Sequence, residues 1–282
     1  MTGFLRPPTS ETHDSHRQAI LKVLPFMRER LTEELDLRQL ADVAIMSPFH
    51  FLRTFREQTG VPPVKFLGAL RIEVAKRLLI ETDDPILDIC HQVGYTSLGT
   101  FSTRFAEMVG LSPGRFRQLG KSFYRDLPAL MMVVSSCPLP PGAPILEASV
   151  ERQHPAQVVF TGLFSTPIPQ GRPMSCAVLL EPDQRDFKVA APRSGMAFLF
   201  AVAMDASAPP VDLLIGGSAV RAAAASGPLI FDDGPPSGQC LRLRPLDPLD
   251  PPMLLALPLL LHEKAAELGH VEAIEPLDEA TM

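Results

Sequence analysis

The side chains best equipped for recognition chemistry cluster in the run Phe49-His50-Phe51-Leu52-Arg53-Thr54-Phe55-Arg56. Phe51 and Phe55 are four apart and share one helix face, where core packing accounts for both. The opposite face then presents Phe49, His50, Leu52, Arg53 and Arg56. A guanidinium is a planar fork that pairs with both acceptors on a guanine edge, worth about 1–3 kcal/mol of discrimination. Arg53 is the leading candidate for that chemistry, with a solvated or phosphate-bound arginine as the plainer alternative. Fifty positions on, Phe101 and Phe105 again take one face, leaving Leu98, Gly99, Ser102, Thr103 and Arg104 on the outer side.

These faces belong to an internal repeat. Phe51, Phe55, Glu57, Gly60 and Pro63 recur as Phe101, Phe105, Glu107, Gly110 and Pro113. Upstream, Leu40, Ala41, Ala44 and Met46 match Ile89, Cys90, Val93 and Tyr95 at a shift of forty-nine. The one-residue slip between the two parts fits a turn. Repeated supersecondary units are the first organisation to look for in a sequence. Two short helix–turn–helix copies at fixed separation suit two neighbouring stretches of a DNA groove.

The elements that must position these faces are helical. From about Ser15 to Arg30 the apolar residues Ile20, Val23, Leu24, Met27 and Leu31 recur at helical spacing. Leu37 to Val43 makes a second helix. Ser47-Pro48 starts a third by a capping side chain and a preorganised proline, and it ends at Gly60. Val64 to Ile80 is about 17 residues, or roughly 25 Å, with Lys65, Arg71, Lys76 and Arg77 on its polar side. A connector of that length sets two reading helices about one DNA turn, ~34 Å, apart. Asp84-Pro85 opens a fifth helix that stops at Gly94, Thr96 or Ser97 caps a sixth ending at Gly110, and Ser112-Pro113 starts a seventh to about Leu119. Arg56, Arg115, Arg117 and Lys121 flank the reading helices as candidates for phosphate.

Charge and proline both divide the chain. Residues 1–125 hold 17 Lys+Arg and 14 Asp+Glu, net +3, and the remainder holds 9 and 18, net −9. Of 30 prolines, 22 lie after residue 125. The expected architecture is therefore α+β in two domains: an all-α double helix–turn–helix domain at 15–122, a proline-rich linker at 123–148, and a β-rich, sandwich-like domain at 149–270. Its candidate strands are Gln157–Phe164, Ser175–Leu180, Asp186–Val189, Met196–Met204, Val211–Ile215, Leu229–Phe231 and Gln239–Leu243, read as antiparallel. Phe198 to Ala203, apolar throughout, reads as a central buried strand. Pro252 to Leu268 reads as a closing helix.

Hydrophobic content of 46% and charged content of 21% are ordinary for a chain that buries a core. No apolar run approaches the ~18 residues of a membrane helix. The N-terminus lacks a signal-peptide pattern, so the expected compartment is the cytoplasm, with no membrane partner. Cys90, Cys137, Cys176 and Cys240 have no metal-ligand spacing, and Cys90 replaces Ala41 of the first copy, which suits a small buried residue. No catalytic residue, metal site or cofactor is expected.

Residues 37–118 resemble the DNA-binding domain of the AraC/XylS family of bacterial transcription regulators. The resemblance is carried by Leu-Arg-Gln-Leu-Ala-Asp-Val-Ala-Ile-Met-Ser-Pro-Phe-His-Phe-Leu-Arg-Thr-Phe-Arg (37–56), by Ile-Leu-Asp-Ile-Cys-His-Gln-Val-Gly-Tyr-Thr-Ser-Leu-Gly-Thr-Phe-Ser-Thr-Arg-Phe (86–105) and by Gly-Leu-Ser-Pro-Gly-Arg-Phe-Arg (110–117). It implies two helix–turn–helix units on a long helix, binding to double-stranded promoter DNA, and regulation of transcription, with base contacts from Phe49, Leu52 and Arg53. RNA polymerase, a small-molecule effector and a second copy of the chain are the further partners considered. Two departures stand out. The family's second unit usually reads Phe-Ser-Arg-x-Phe, whereas Phe101-Ser102-Thr103-Arg104-Phe105 moves the arginine about 100° round the helix. Leu52 and Leu98 replace polar residues and suit thymine methyls.

In most of that family the sensing domain comes first, and here the extra domain follows. Its pattern resembles a small prealbumin-like sandwich rather than the helix–strand alternation of gyrase-inhibitor-related domains. His154, Arg172 and Arg193 could face an anionic effector. The competing readings are a DNA-binding module fused to an enzyme, such as an alkyltransferase, and a purely architectural DNA binder. No cysteine is followed by His-Arg, and no phosphate loop, Gly-x-Ser-x-Gly or His-Glu-x-x-His occurs.

Overall fold

The computed structural model of the protein describes residues 10–121, 139–152, 157–166, 168–205, 207–216, 219–254, 256, 259 and 260. Its helical part runs α1 (Ser10–Glu29), α2 (Leu37–Val43), α3 (Pro48–Thr59), α4 (Pro63–Glu81), α5 (Ile86–Gln92) and α6 (Leu98–Val109), followed by α7 at 113–121. Local chemistry sets these boundaries. Asp36 and Gln39 form a reciprocal capping box at the start of α2. Ser97 accepts from the Thr100 N–H at the start of α6. Ser47, expected to cap α3 the same way, makes no side-chain cap bond, so the proline at the first turn opens that helix. Gly60 and Gly110 end α3 and α6 at φ +77° and +91°, the left-handed region where a Cβ is strained.

The two helix–turn–helix units, α2–α3 and α5–α6, are built on the same aromatic chain. Phe51 meets Phe55 at 5.5 Å between ring centroids, and Phe55 meets Phe66 of α4 edge-on at 5.6 Å. Phe101 meets Phe105 at 5.7 Å, and Phe105 meets Phe116 of α7 at 5.5 Å. Phe66 and Phe116 are thus a further pair of the fifty-residue repeat. All six rings are fully buried. Burial of this kind stabilises by about 1.5–3 kcal/mol per large apolar side chain. In the first unit α1 completes the core through Ile20, Val23, Leu24 and Met27.

Among the described residues eight strands follow: β1 (Ile145–Glu151), β2 (Gln157–Phe164), β3 (Ser175–Leu179), β4 (Asp186–Ala190), β5 (Met196–Asp205), β6 (Val220–Ile230), β7 (Gln239–Arg242) and β8 (Arg244–Pro245), with a short helix α8 (Pro210–Ile215) between β5 and β6. They form two sheets, β4-β1-β7 and β3-β2-β5-β6-β8. Leu146, Val150, Val159, Leu163, Leu199 and Phe231 pack between the sheets as one cluster. The β-rich, sandwich-like expectation is met in this form. All strand pairs are antiparallel except β1–β7, which run parallel from Ala148–Gln239.

Three expectations change. Val211–Ile215 is helix rather than strand: Pro210 starts it, Asp212 lies in its first turn, and Gly216 follows its end. The strand seen at Leu229–Phe231 begins nine residues earlier, because the alanine run 222–225 is paired along β5, with Ala222 and Ala223 also paired to β8, despite its helical propensity. The stretch assigned to a linker contains β1 from Ile145. Most of the expected closing helix, and Cys137 and His154, lie outside the described residues.

The domains share a core. Phe101, Phe105, Val109 and Leu119 form one apolar cluster with Val158, Val202, Met204 and Leu214. The five-stranded sheet is therefore covered on both faces. That explains the unbroken apolar run of β5: Leu199, Ala201 and Ala203 enter the sandwich, while Val202 and Met204 face the helices.

Candidate nucleic-acid interface

The outer face of α3 is open. Phe49 is 90% exposed and Leu52 39%, and Arg53 and Arg56 are exposed. Their spacing of three and four residues puts them on one stripe. Arg53 Nε lies 3.7 Å from Glu57 Oε1, an exposed i,i+4 pair of little energetic weight. His50 differs from the expectation: it is half-buried, and its ring meets His16 of α1 edge-on at 5.0 Å. It turns toward α1, away from the stripe.

The corresponding face of α6 is also open but made of short side chains. Leu98 is 40% exposed, Gly99 and Thr103 are exposed, and Ser102 is half-buried. Arg104 leaves this stripe. Its counterpart fifty positions earlier is Thr54, which is 0% exposed on the side where α1 packs against α3. Arg104 therefore occupies the flank that α1 would cover in the first unit. It stands in solvent and donates to Glu107 Oε2 at 2.9 Å.

Several cations expected at the surface are engaged elsewhere. Lys76 is fully buried. Its ammonium donates to the Ile215 carbonyl at the end of α8, 2.9 Å away, and burial, opposed by Glu73, lowers its pKa to about 7. Arg71 is half-buried and donates to the carbonyls of Leu31 at 2.7 Å and Glu33 at 2.8 Å. Burial holds its pKa below the usual value. It also lies 5.7 Å over the Tyr95 ring, so it ties the α1–α2 loop to the second unit. Arg117 donates to the carbonyls of Leu79 and Asp84, and burial likewise lowers its pKa. Lys121 pairs with Asp83. Arg115 donates to Gln118 at 2.9 Å. Arg56 remains exposed beside Arg53.

Sequence reasoning missed Arg71 and Lys76 as anchors. Each sits at a helical spacing that reads equally well as a solvated face, and only the partner elements reveal the difference. The Phe66/Phe116 pair was findable, since it keeps the fifty-residue shift.

Residues 40–119 match a family model described as a helix-turn-helix domain. The chain is similar to the bifunctional transcriptional activator/DNA repair enzyme AdaA of Bacillus subtilis, 36% identical over 35% of this chain and 47% of that protein. It is similar to the MmsAB operon regulatory protein of Pseudomonas aeruginosa, 37% identical over 33% of this chain and 30% of that one. A solved structure of the DNA-binding domain of AdpA, a global transcriptional factor, in complex with a target DNA is 30% identical, with a TM-score of 0.36, over 37% of this chain and 94% of that one. The chain spans less than half the length of these two curated relatives. Over residues 40–119 the chain carries a helix–turn–helix domain of the AraC type.

Proposed function

We propose that the protein is a sequence-specific regulator of transcription that reads two successive major grooves of promoter DNA with α3 and α6. One observation carries this reading. In both units the helix after the turn buries its phenylalanine face and leaves the opposite stripe uncovered, at Phe49, Leu52 and Arg53 and at Leu98, Gly99 and Thr103, with Ser102 half-buried beside them. A helix of that shape fits a major groove. Arg53 is the base reader of this scheme and Phe49 and Leu52 its apolar contacts. Arg56 supplies phosphate affinity.

The second domain is assigned regulation rather than catalysis. In the helical domain Cys90 is buried and burial raises its thiol pKa, which disfavours the thiolate that a nucleophile needs; in the second domain neither Cys176 nor Cys240 is followed by the His-Arg of an alkyltransferase nucleophile. The similarity to AdaA spans 99 residues, less than half of that protein, and we take it as support for the DNA reading alone. The partners that follow are promoter DNA, RNA polymerase, a small-molecule effector and a second copy of the chain. No helix among the described residues is long and apolar enough to cross a membrane.

Selection of bound duplexes from a random library by the full chain tests the proposal. A defined motif about two helical turns long is expected, bound at least ~10³-fold tighter than random duplex. Enrichment of no motif would leave an architectural binder and end the regulatory reading.

A further inference from the structure

A cavity of about 910 Å³ opens between the helical domain and the five-stranded sheet. Its helical wall is the connector α4, through Lys65, Ala69 and Glu73, with Thr59, Gly60 and Val61 from the end of α3 and Met108 from α6. Its other wall is Phe200 of β5, Ala223, Ala224 and Ala225 of β6, and the 246–254 segment. The space exists because small side chains line it. A Cβ built on Gly60 would meet nothing within 4 Å. An apolar cavity of this size at a domain junction, with a few charged groups, has the form of a small-molecule site.

Three cations and three carboxylates line it: Arg28, Lys65 and Arg244, and Glu73, Asp247 and Asp250. Asp250 is held by Arg244 through two bonds of 2.7 Å, and Asp247 is paired with Arg17 at 2.8 Å. Among the described residues Arg28 and Lys65 have no such partner, and both line the cavity. Glu73 is the remaining carboxylate. It stands eight residues from Lys65 on the same helix, about 12 Å along the axis, and it faces the buried Lys76 electrostatically. The cavity thus offers Arg28 and Lys65 as cations without an ion-pair partner among the described residues, and an apolar wall of Ala69, Phe200 and the β6 alanines.

We propose that this cavity binds a small amphipathic carboxylate, its anionic group at Arg28 and Lys65 and its apolar body along Ala69, Phe200 and the β6 alanines. The site touches the ends of both recognition helices and the helix that joins them. A ligand bound there biases their relative placement, and coupling of this kind is reciprocal with DNA affinity. This second half rests on the DNA-binding reading given above.

The probe is 2-naphthoate, titrated by its own fluorescence into the full chain, with 2-naphthalenemethanol and 2-naphthylmethylammonium as neutral and cationic controls. Naphthoate should bind about tenfold or more tighter than the alcohol, the scale of a charge-assisted bond. The double variant Arg28→Glu, Lys65→Glu should remove that advantage and leave the alcohol's affinity unchanged, which also shows that the cavity remains formed. Equal affinity for all three probes, preference for the ammonium, no saturable binding, or an unaffected double variant would each overturn the site. Saturating naphthoate should shift affinity for the selected duplex severalfold, and no shift would overturn the coupling. If naphthoate fails while the duplex is still bound specifically, only this inference falls. If the probe-free chain shows no sequence preference, the regulatory reading falls whatever naphthoate does.

Discussion

Ile45 and Gly94 hold the same left-handed place in the two helix–turn–helix units, at φ +57° and +82°. Glycine takes that conformation freely, whereas an L-residue with a branched Cβ loses about 1–2 kcal/mol there. The first unit tolerates Ile45 because its side chain is 89% exposed and meets no neighbour it must displace. At Gly94 an added Cβ would lie 2.6 Å from the Leu31 carbonyl oxygen and 2.8 Å from the Thr32 Cα. That loop is pinned there by Arg71. Ile45→Gly should therefore stabilise the chain by about 1 kcal/mol, net of the glycine's entropy. Gly94→Ala should destabilise it by about 2 kcal/mol or more. Urea denaturation of both variants checks this, and an Ile45→Gly chain less stable than the parent would contradict it.

Arg53 of α3 and Arg104 of α6 should behave differently under the proposed function. Arg53 lies on the open stripe of α3, and Arg104 lies on the flank equivalent to buried Thr54. Arg53→Ala should relax base preference at one position and weaken the preferred duplex by about 1–3 kcal/mol. Arg104→Ala should leave the selected motif unaltered. Binding measured across single-base variants of the motif decides between them. Loss of discrimination in the Arg104 variant and not in the Arg53 variant would reverse the assignment.

The helical half was legible because its signals are local and doubled. Pro48, Gly60, Ser97, Gly110 and Pro113 mark boundaries by their own backbone preferences, and the second copy checks the first. The uncovered stripes of α3 and α6 followed once the phenylalanine faces were assigned to the core. What stayed hidden depends on tertiary partners. Lys76 looks like a surface cation until α8 is packed over α4, and His50 looks like a reader until α1 is placed beside it. The alanines of β6 favour helix in isolation, and neighbouring strands override that preference. The cavity between the domains has no sequence signature, because its walls come from segments as distant as Arg28 and Leu254.

Unequal faces predict unequal half-sites. At equivalent positions α3 offers Phe49, Leu52 and Arg53, and α6 offers Gly99, Ser102 and Thr103. The second set has little reach, so base changes in the half-site under α6 should cost less than those under α3. Thr103→Arg should restore an arginine to the open stripe and add base preference in that half alone. A selected motif with equal information in both halves would count against this. Arg56→Ala should instead weaken all duplexes about equally and lower the salt slope by about one unit.

Lys76 gives the fold a pH dependence of known sign. Its ordinary pKa is 10.5, and burial lowers the folded value to about 7. Between those values the unfolded chain holds a proton that the folded chain has released, so stability rises with pH across that window and is lowest below about 7. The slope is at most about 1.4 kcal/mol per pH unit, the one-proton limit. Cys90, whose thiol is raised above 9.0 by burial, acts in the opposite direction only above about pH 9, so the range from about 7 to 9 isolates the lysine. Lys76→Met keeps most of the packing volume, removes the bond to the Ile215 carbonyl and should flatten the profile in that range. Urea midpoints at about pH 7, 8 and 9 for both chains provide the measurement. A parent profile that falls with pH, or a variant profile as steep as the parent's, would show that Lys76 is not the titrating latch between α4 and α8.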